Sequence, residues 1–343
     1  MKITLLGGGI GASRFSQVLT RVILPEQLTC IVNTADDLWR YGLRICPDLD
    51  TTLYTHAGRK DEQRGWGLKG DTFRTMAQIR SLGQQPWFNL GDLDLATHLL
   101  RTGWLREGLA LAEITQQLAE AMEVRVQVLP MTETEVETQI LTSVGWLHYQ
   151  QYLVLREAQD HVEAVRYRGS ETAQAGPGVL AALQQADLII IAPSNPFASI
   201  QPILNLPGVR SALAQTRAPV MAITPTVSEI PIAEPGEAKR ARSRAALLAA
   251  HGLPHQAAAV AALYRELADV FVLDEADQQE AAEIEALGLA VLIAPTLFHK
   301  STGGTATVER LLQSYPKEKR RWKATSQPNG ALPRPSNVGV TGF

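Results

Sequence analysis

The sequence predicts an α/β protein built on a parallel sheet, because short apolar runs alternate with longer helical patterns along the chain. Strands that are buried on both faces of a parallel sheet are apolar throughout instead of alternating with polar residues. Six near-continuous apolar runs fit this description: Ile3 to Leu6, Leu28 to Val32, Leu188 to Ala192, Val220 to Ile223, Val270 to Leu273 and Leu289 to Ile293. A glycine-rich turn follows the first run, and Phe15, Val18, Leu19 and Val22 then recur at helical spacing. This order predicts a strand, a loop, a helix packed on the sheet and a second strand.

The remaining segments predict how the chain is organised. Residues 1–123 and 169–315 are predicted to form the core that binds the ligands. The stretch 124–168 changes to a period of two, which predicts a β-meander inserted into the parallel fold. The region 225–265 is rich in Ala, Arg and Glu and is predicted to form a helical cap over the site. The segment 316–343 is rich in Pro, Gly and Ser without periodicity, which predicts disorder.

Composition limits the class of function. With 343 residues, 45% of them hydrophobic and 20% charged, the chain can bury one large α/β core or two smaller ones. A net charge of −3 argues against nucleic acid as a partner, because duplex binding needs a clustered basic face. No apolar run approaches the about 18 residues of a membrane span. The two cysteines, Cys30 and Cys46, are too few for a disulfide framework, so we expect a cytoplasmic protein with small-molecule substrates.

The first candidate site is the glycine turn after the first strand. Gly7, Gly9 and Ala12 have the spacing G-x-G-x-x-A, and Gly11 lies in the same turn. Such a turn lets the backbone approach a phosphate closely and offers the free N–H groups of a helix start. A dinucleotide site also needs an acid at the end of the second strand, where this chain has Asn33. We therefore expect these glycines and Asn33 to bind a phosphate or nucleotide, with NAD binding and a purely structural turn as alternatives.

The second candidate is a group of acidic residues in a stretch that lacks helical periodicity. In an extended or loop segment, Asp48 and Asp50 would point the same way. Magnesium is usually held by one or two carboxylates together with phosphate oxygens and water. We predict Asp48, Asp50 and Asp71 as Mg²⁺ ligands and the first two as catalytic residues, although a D-x-D pair is also typical of ordinary turns. A long loop with many charged and aromatic side chains is more typical of a functional site than of a core. The charged and aromatic residues of this stretch include Asp36, Asp37, Trp39, Arg64 and Trp66.

Two further segments contribute candidates. Ser194 and Asn195 follow a predicted buried strand, and ligands of open α/β sheets bind at the carboxyl ends of strands. We expect both to contact a ligand; Ser194 as a nucleophile is disfavoured because the segment lacks G-x-S-x-G. Asp92 is expected to cap a helix in which His98 is a hydrogen-bonded residue rather than a catalytic base.

Several strings, in this order and at these separations, resemble the 2-phospho-L-lactate transferase family of coenzyme F420 biosynthesis: NTADDLWRYGLRICPDLDT, RGWGLKGDTF, WFNLGDLDLATHLLRTG, LPMTETEVET, HYQQYLVLR and APSNPFASIQPIL. The similarity runs from residue 1 to about residue 315. It implies a Rossmann-like core, usually in a homodimer. It also implies Mg²⁺-dependent transfer of a phospholactyl-type group from a guanosine diphosphate conjugate to the terminal ribityl hydroxyl of the deazaflavin Fo, which releases GMP.

The resemblance assigns roles to individual positions. Asp50 falls on the family's aspartate near the metal and Fo, and Asn89 falls on a position that contacts Fo. The glycine turn and the loop of Ser194 and Asn195 fall on the guanosine diphosphate side. Trp66, like Trp39 and Trp87, is a candidate for stacking on the flat deazaflavin. A tryptophan more often packs in a core, and we expect at least one of the three to do so.

Some positions depart from the family pattern. The loop from Pro225 to Pro235 lacks the glycine pair and the Lys-Gly-Pro of relatives and gains Glu229 and Glu234. Leu93 stands where arginine is common, and Gln201 where glycine is common. These changes leave open which acid is donated: phospholactate, phosphoenolpyruvate or 3-phosphoglycerate.

Two other classes of function remain as alternatives. A non-catalytic nucleotide-binding regulator of the same fold would have no need for the acidic residues, and they would point away from the glycine turn. An NAD-dependent oxidoreductase would need an acid near Asn33.

Overall fold

A computed structural model of the chain describes residues 1–228, 235–298 and 303–315. Its centre is a sheet of seven parallel strands. They are β1 (Ile3–Gly7), β2 (Leu28–Val32), β5 (Gln127–Pro130), β9 (Leu188–Ile191), β10 (Val220–Ile223), β11 (Val270–Leu273) and β12 (Ala290–Ile293). Their order is β12-β11-β10-β9-β1-β2-β5, the arrangement of a Rossmann-like fold. The predicted fold class is therefore confirmed, including all six strands that were predicted from apolar runs.

The apolar runs are buried because both faces of the sheet are covered. In β1, Leu6 belongs to one core and Leu5 to the other. In β9, Ile189 and Ile190 divide in the same way, since successive side chains of a strand point to opposite faces.

Twelve helices surround the sheets in the described part of the chain. They are α1 (Gly9–Leu19), α2 (Pro47–His56), α3 (Arg74–Ser81), α4 (Asp94–Arg106), α5 (Leu111–Ala121), α6 (Val179–Gln185), α7 (Gln201–Leu204), α8 (Val209–Gln215), α9 (Pro235–Ala250), α10 (Ala257–Tyr264), α11 (Ala281–Ala286) and α12 (Gly303–Ser314). The predicted stripe of α1 is confirmed, because Phe15, Val18 and Leu19 are buried, while Val22 lies beyond the end of the helix. None of the helices that the structure describes is long and apolar enough to cross a membrane.

The inserted β-meander is shorter than predicted. It consists of β6 (Glu137–Thr142), β7 (Gly145–His148) and β8 (Ala164–Arg168), which form an antiparallel sheet of three strands. The predicted start at residue 124 is wrong, because β5 pairs in parallel with β2 at the edge of the main sheet. Within the stretch that was predicted as a β-meander, residues 151–155 form a turn of π-helix instead of a strand.

The stretch that was predicted as a loop contains regular structure. A hairpin of β3 (Leu38–Arg40) and β4 (Leu43–Ile45) leads directly into α2. Asp48 and Asp50 therefore lie in the first turn of a helix, and the expectation that they share a direction in an extended segment is wrong.

The predicted cap region contains α9 and α10. Glu229 and Glu234, whose effect on the loop was left open, lie outside the described residues, as does the segment 316–343 that was predicted to be disordered.

Candidate functional site

A cavity of about 470 Å³ lies over the carboxyl ends of the central strands. From β1 the chain proceeds to β2 and β5 on one side of the sheet, whereas β9 to β12 follow on the other side. The gap between β1 and β9 is therefore the point where the strand order reverses, and ligands of open α/β sheets bind at such points. The glycine turn after β1 and the loop after β9 both line the cavity, through residues 8–11 and 193–195.

The glycine turn is held in place by close backbone contacts. Gly9 has a φ of +69°, a backbone conformation that glycine adopts without strain. A Cβ at Gly11 would lie 2.2 Å from the carbonyl oxygen of Pro193, so only glycine fits there. The Ser194 hydroxyl donates a hydrogen bond to the Gly8 carbonyl at 2.9 Å. These contacts clamp the loops of β1 and β9 together. Gly7 lies below the turn, where a Cβ would be 2.8 Å from the Cβ of Ala12 and would meet Ala192 equally closely.

Asp48 contacts the glycine turn directly. Its Oδ2 accepts a hydrogen bond from Asn33 Nδ2 at 3.0 Å, and its carboxylate accepts the backbone N–H of Gly9. Burial raises the pKa of Asp48 to about 7. Burial, and then the charge of Asp48, also raises the pKa of Asp36, which lines the cavity. Asn33 is fully buried behind Asp48, and the cavity lining does not include it.

Asp50 points away from Asp48, toward α4, and forms a buried ion pair. Its carboxylate accepts from both terminal nitrogens of Arg101, with 3.1 Å between Nη1 and Oδ2. Arg101 is only 1% exposed, so each group neutralises a charge that would otherwise be buried alone. Sequence reasoning missed Arg101, whose partner lies 51 positions earlier in the chain.

Among the described residues, Asp50, Asp94 and His98 form a group whose geometry is compatible with a metal ion. One ligand atom from each lies within 4.8 Å of the others. His98 Nδ1 is 3.6 Å from Asp50 Oδ2, and its Nε2 is 3.4 Å from Asp94 Oδ2. Tyr54 donates a hydrogen bond of 2.6 Å to Asp94 Oδ1. His98 lies on a helix, as predicted. Asp94 was not among the predicted site residues, although the i, i+4 spacing of the two residues on α4 puts both on one face.

Asp71 is not part of this group. Its carboxylate accepts the backbone N–H groups of Thr72 at 2.9 Å, Leu93 at 2.8 Å and Asp94 at 3.1 Å. The structure therefore brings Asp50 together with Asp94 and His98 rather than with Asp71, which fixes the chain at the start of α4.

Asp92 was expected to cap α4, and this is wrong. It accepts the backbone N–H groups of Arg74 and Thr75 and so caps α3.

An aromatic wall forms part of the same cavity. Trp66, Trp87, Phe88 and Asn89 line the cavity. Trp66 packs edge-on against Phe73, with ring centres 6.0 Å apart. Asn89 is exposed, and its side-chain oxygen accepts from Arg80 at 2.9 Å.

Trp39 lies elsewhere. It donates to Glu135 and borders a different, smaller cavity.

Asn195 shapes the loop after β9. Its side-chain oxygen accepts the backbone N–H groups of Phe197 and Ala198, at 3.1 and 3.2 Å. Its Nδ2 is buried and has no hydrogen-bond partner among the described residues, while the residue itself lines the cavity. An amide donor is therefore left for a ligand.

Helix α9 contributes basic side chains to the cavity. Lys239, Arg240 and Arg244 line the cavity together with Glu237. The sequence predicted a helical cap here but not which of its many basic residues face the site.

Together, the fold and the cavity define a Rossmann-like α/β protein whose cavity is lined by a glycine turn, by buried carboxylates and by cations of α9. Comparison with known proteins gives the family. The model of the family described as 2-phospho-L-lactate transferase CofD matches residues 3–290, so the chain belongs to this family. The resemblance that was inferred from the sequence is thus confirmed, as is a transferase function in coenzyme F420 biosynthesis.

Similar proteins include phosphoenolpyruvate transferases and 2-phospho-L-lactate transferases. The chain is 39% identical over 304 residues to a phosphoenolpyruvate transferase of Kitasatospora aureofaciens, covering 87% of this chain and 92% of that protein. It is 34% identical over 311 residues to a 2-phospho-L-lactate transferase of Methanosarcina mazei, covering 91% and 99%. Among solved structures, a UPF0052 family member from Bacillus halodurans matches with a TM-score of 0.57 at 15% identity, covering 91% of this chain and 98% of that one. This last likeness concerns the fold alone.

Proposed function

We propose that the protein transfers a phospho-acid group from a guanosine diphosphate conjugate to the ribityl hydroxyl of the deazaflavin Fo and releases GMP. The hydroxyl oxygen attacks the phosphorus that carries the acid and loses its proton. The bond from this phosphorus to the bridging oxygen breaks, and that oxygen leaves with GMP. The observation that carries the proposal is that one cavity joins the glycine turn to the group of Asp50, Asp94 and His98 and to the aromatic wall.

The residues of the cavity suit the parts of such a substrate pair. The amides of the glycine turn at the start of α1 favour the diphosphate. The free Nδ2 of Asn195 suits a polar oxygen of the nucleotide, and Trp66 and Trp87 offer faces for a flat ring. Such positioning is a large part of catalysis in phosphoryl transfer, because the reaction asks for little covalent chemistry from the protein.

The carboxylates of Asp50 and Asp94 fit a Mg²⁺ ion. Both carboxylates line the cavity. A carboxylate oxygen has two lone pairs, so the ion pair with Arg101 leaves lone pairs of Asp50 available for a metal ion. When bound, Mg²⁺ would neutralise charge on the diphosphate oxygens during transfer. Arg101 holds the Asp50 carboxylate in place, and Tyr54 does the same for Asp94.

The placement of the acids also bears on the alternatives. A non-catalytic regulator would have its acids turned away from the glycine turn, whereas Asp48 contacts the turn and Asp50 lines the same cavity. An NAD enzyme would need an acid where Asn33 is buried.

Incubation of the purified protein with Fo, Mg²⁺ and each of the three guanosine diphosphate conjugates tests the proposal. We expect GMP release, and a product whose mass is Fo plus the phospho-acid, for at least one conjugate. No product with any conjugate would remove the proposed function.

The metal assignment needs a careful variant. Asp50→Ala would leave Arg101 buried without its counter-ion and is therefore a poor test. We expect Asp94→Asn to lower turnover and to raise the Mg²⁺ concentration that turnover requires. Asp187→Asn is the matched control, because Asp187 is exposed at the amino end of β9, across the sheet from the cavity. Turnover of Asp94→Asn with an unchanged Mg²⁺ requirement would contradict the assignment.

We also propose that the protein is a homodimer, which the family resemblance supports. We propose a cytoplasmic location as well, which the two buried free cysteines support. Sedimentation velocity and cell fractionation test these two points.

A further inference from the structure

Helix α9 holds a carboxylate between two arginines inside the cavity. Glu237 Oε2 accepts from Arg240 Nε at 3.0 Å and lies 2.9 Å from its Nη2. Glu237 Oε1 accepts from Arg244 Nη2 at 3.2 Å. The spacings of three and seven residues put all three side chains on one face of the helix, and all three line the cavity.

The arginines of this group have a donor to spare. Arg240 and Arg244 share the Glu237 carboxylate, whereas Lys239, which also lines the cavity, lies 3.9 Å from a carboxylate oxygen of Glu157. The Arg244 side chain is 13% exposed, and its Nε is buried without a hydrogen-bond partner among the described residues. Burial raises the pKa of Glu237, but Arg240 and Arg244 outweigh this and lower it overall, so the carboxylate is charged. The spare Nε of Arg244, in a side chain that lines the cavity, indicates that this arginine pair can hold an anion from outside the chain.

The packing of α9 does not account for the arginines. Leu247 and Leu248 are buried in the core, and the Ser243 hydroxyl lies 3.1 Å from the Tyr149 hydroxyl. These residues anchor the helix to the body of the protein. Arg240 and Arg244 instead face the cavity, where a packing role would not require a charged group.

We infer that Arg240 and Arg244 bind the carboxylate of the acid that the donor carries, and that Glu237 occupies this place when no acid is bound. The inference rests on the proposed function and names the residues that recognise one part of its substrate. A guanidinium pairs with a planar carboxylate through parallel hydrogen bonds, and Glu237 demonstrates that a carboxylate fits between these two arginines. The tetrahedral phosphates are left to the amides of the glycine turn.

Recognition of the carboxylate by Arg240 and Arg244 bears on which donors the protein accepts. Phospholactate, phosphoenolpyruvate and 3-phosphoglycerate all carry a carboxylate, so the arginine pair distinguishes a conjugate from plain GDP but does not choose among the acids. The arginines of α9 would also supply positive charge in place of the lysine that relatives carry in the loop from residue 225 to residue 235 and that this chain lacks.

Isothermal titration of GDP and of the phosphoenolpyruvate conjugate of GDP tests the inference. For Arg244→Gln we expect the affinity for the conjugate to fall by about 10- to 100-fold, with the affinity for GDP unchanged. For Glu237→Gln we expect the conjugate to bind several-fold more tightly, because the internal competitor loses its charge. Arg242→Gln is the matched control on the same helix; Arg242 is exposed and donates to the Glu157 carbonyl, and we expect both affinities to be unchanged.

The outcomes separate this inference from the proposed function. If the wild-type protein binds neither ligand, the proposed function fails. If GDP and the conjugate lose affinity equally in Arg244→Gln, the arginines bind the nucleotide and the inference is overturned, as it is if neither affinity changes. Circular dichroism checks that each variant is folded. If Arg244→Gln does not fold, Arg244→Lys replaces it: it keeps the charge but loses the paired hydrogen bonds, so we expect a smaller loss for the conjugate only.

Discussion

Replacing Gly11 with alanine tests the clamp between the loops of β1 and β9. The added Cβ would lie 2.2 Å from the Pro193 carbonyl oxygen and 3.3 Å from the carbonyl carbon. Both atoms belong to the backbone, so the loop itself must move by about 1 Å to restore a normal contact. Overpacking of this kind costs up to about 3 kcal/mol, and the better helix propensity of alanine returns about 1 kcal/mol. We expect Gly11→Ala to lower the free energy of unfolding by about 2 kcal/mol, and to weaken GDP binding as the crevice opens.

Urea denaturation and titration with GDP measure the two effects. Gly103→Ala is the matched control, because Gly103 lies inside α4 and a Cβ there would meet no atom within 4 Å. The same exchange should stabilise the protein by up to about 1 kcal/mol at this position and leave GDP binding unchanged. If Gly11→Ala were as stable as the wild type and bound GDP equally well, the clamp would not have the role described above.

Three further predictions concern side chains outside the loops that follow β1 and β9. Arg101→Gln leaves Asp50 buried without its counter-ion, so we expect a loss of about 3–5 kcal/mol in urea denaturation; a loss below about 1 kcal/mol would contradict the ion pair. Burial, followed by the charge of a nearby lysine, lowers the pKa of His56 to about 4, so the unfolded chain takes up its proton near pH 6.5 while the folded chain does not. We therefore expect the free energy of unfolding of the wild type to fall by about 2 kcal/mol from pH 6.5 to pH 4. The fall should be smaller in His56→Gln and as large as in the wild type in His161→Gln, the control at an exposed site. Identical pH curves for all three proteins would refute this. Asp71→Ala removes the acceptor of three backbone N–H groups, so we expect a loss of about 2–3 kcal/mol and faster hydrogen exchange at the start of α4, with a smaller effect in Asp71→Asn; unchanged exchange would count against its structural role.

The sheet could be predicted from the sequence because its signal is local. Each strand is an apolar run whose two faces meet two cores, as Leu5 and Leu6 do. The edge strand β5 was assigned to the insertion because Val124, Val126 and Val128 alternate with polar residues, a pattern that is also typical of antiparallel strands. In the structure only Val128 and Pro130 of the four residues of β5 are buried, as befits an edge strand.

Helix α2 was missed although its start carries a signal. Pro47 is the first helical residue, and Asp48 and Asp50 follow in the first turn, where acids favour the helix dipole. The polar composition of the helix obscured its periodicity, because the charged residues are buried in the site rather than exposed to solvent.

The partners in the site depend on tertiary structure. Asp50 is 51 positions from Arg101, and Asp71 accepts backbone N–H groups up to 23 positions away. Sequence spacing predicts contacts within a helix, such as Asp94 with His98, but it contains no information on which loop faces which helix. The candidate residues could therefore be named from the sequence, while their grouping needed the fold.

The contact between Asp48 and the turn at Gly9 has an electrostatic consequence. A nucleotide that settles on this turn brings its negative charge next to an acid that titrates near neutral pH. The negative charge beside Asp48 favours the uptake of positive charge with the nucleotide, either as a dication or as a proton from the buffer. Nucleotide affinity should then vary with pH and with divalent salt together, as a single linked equilibrium.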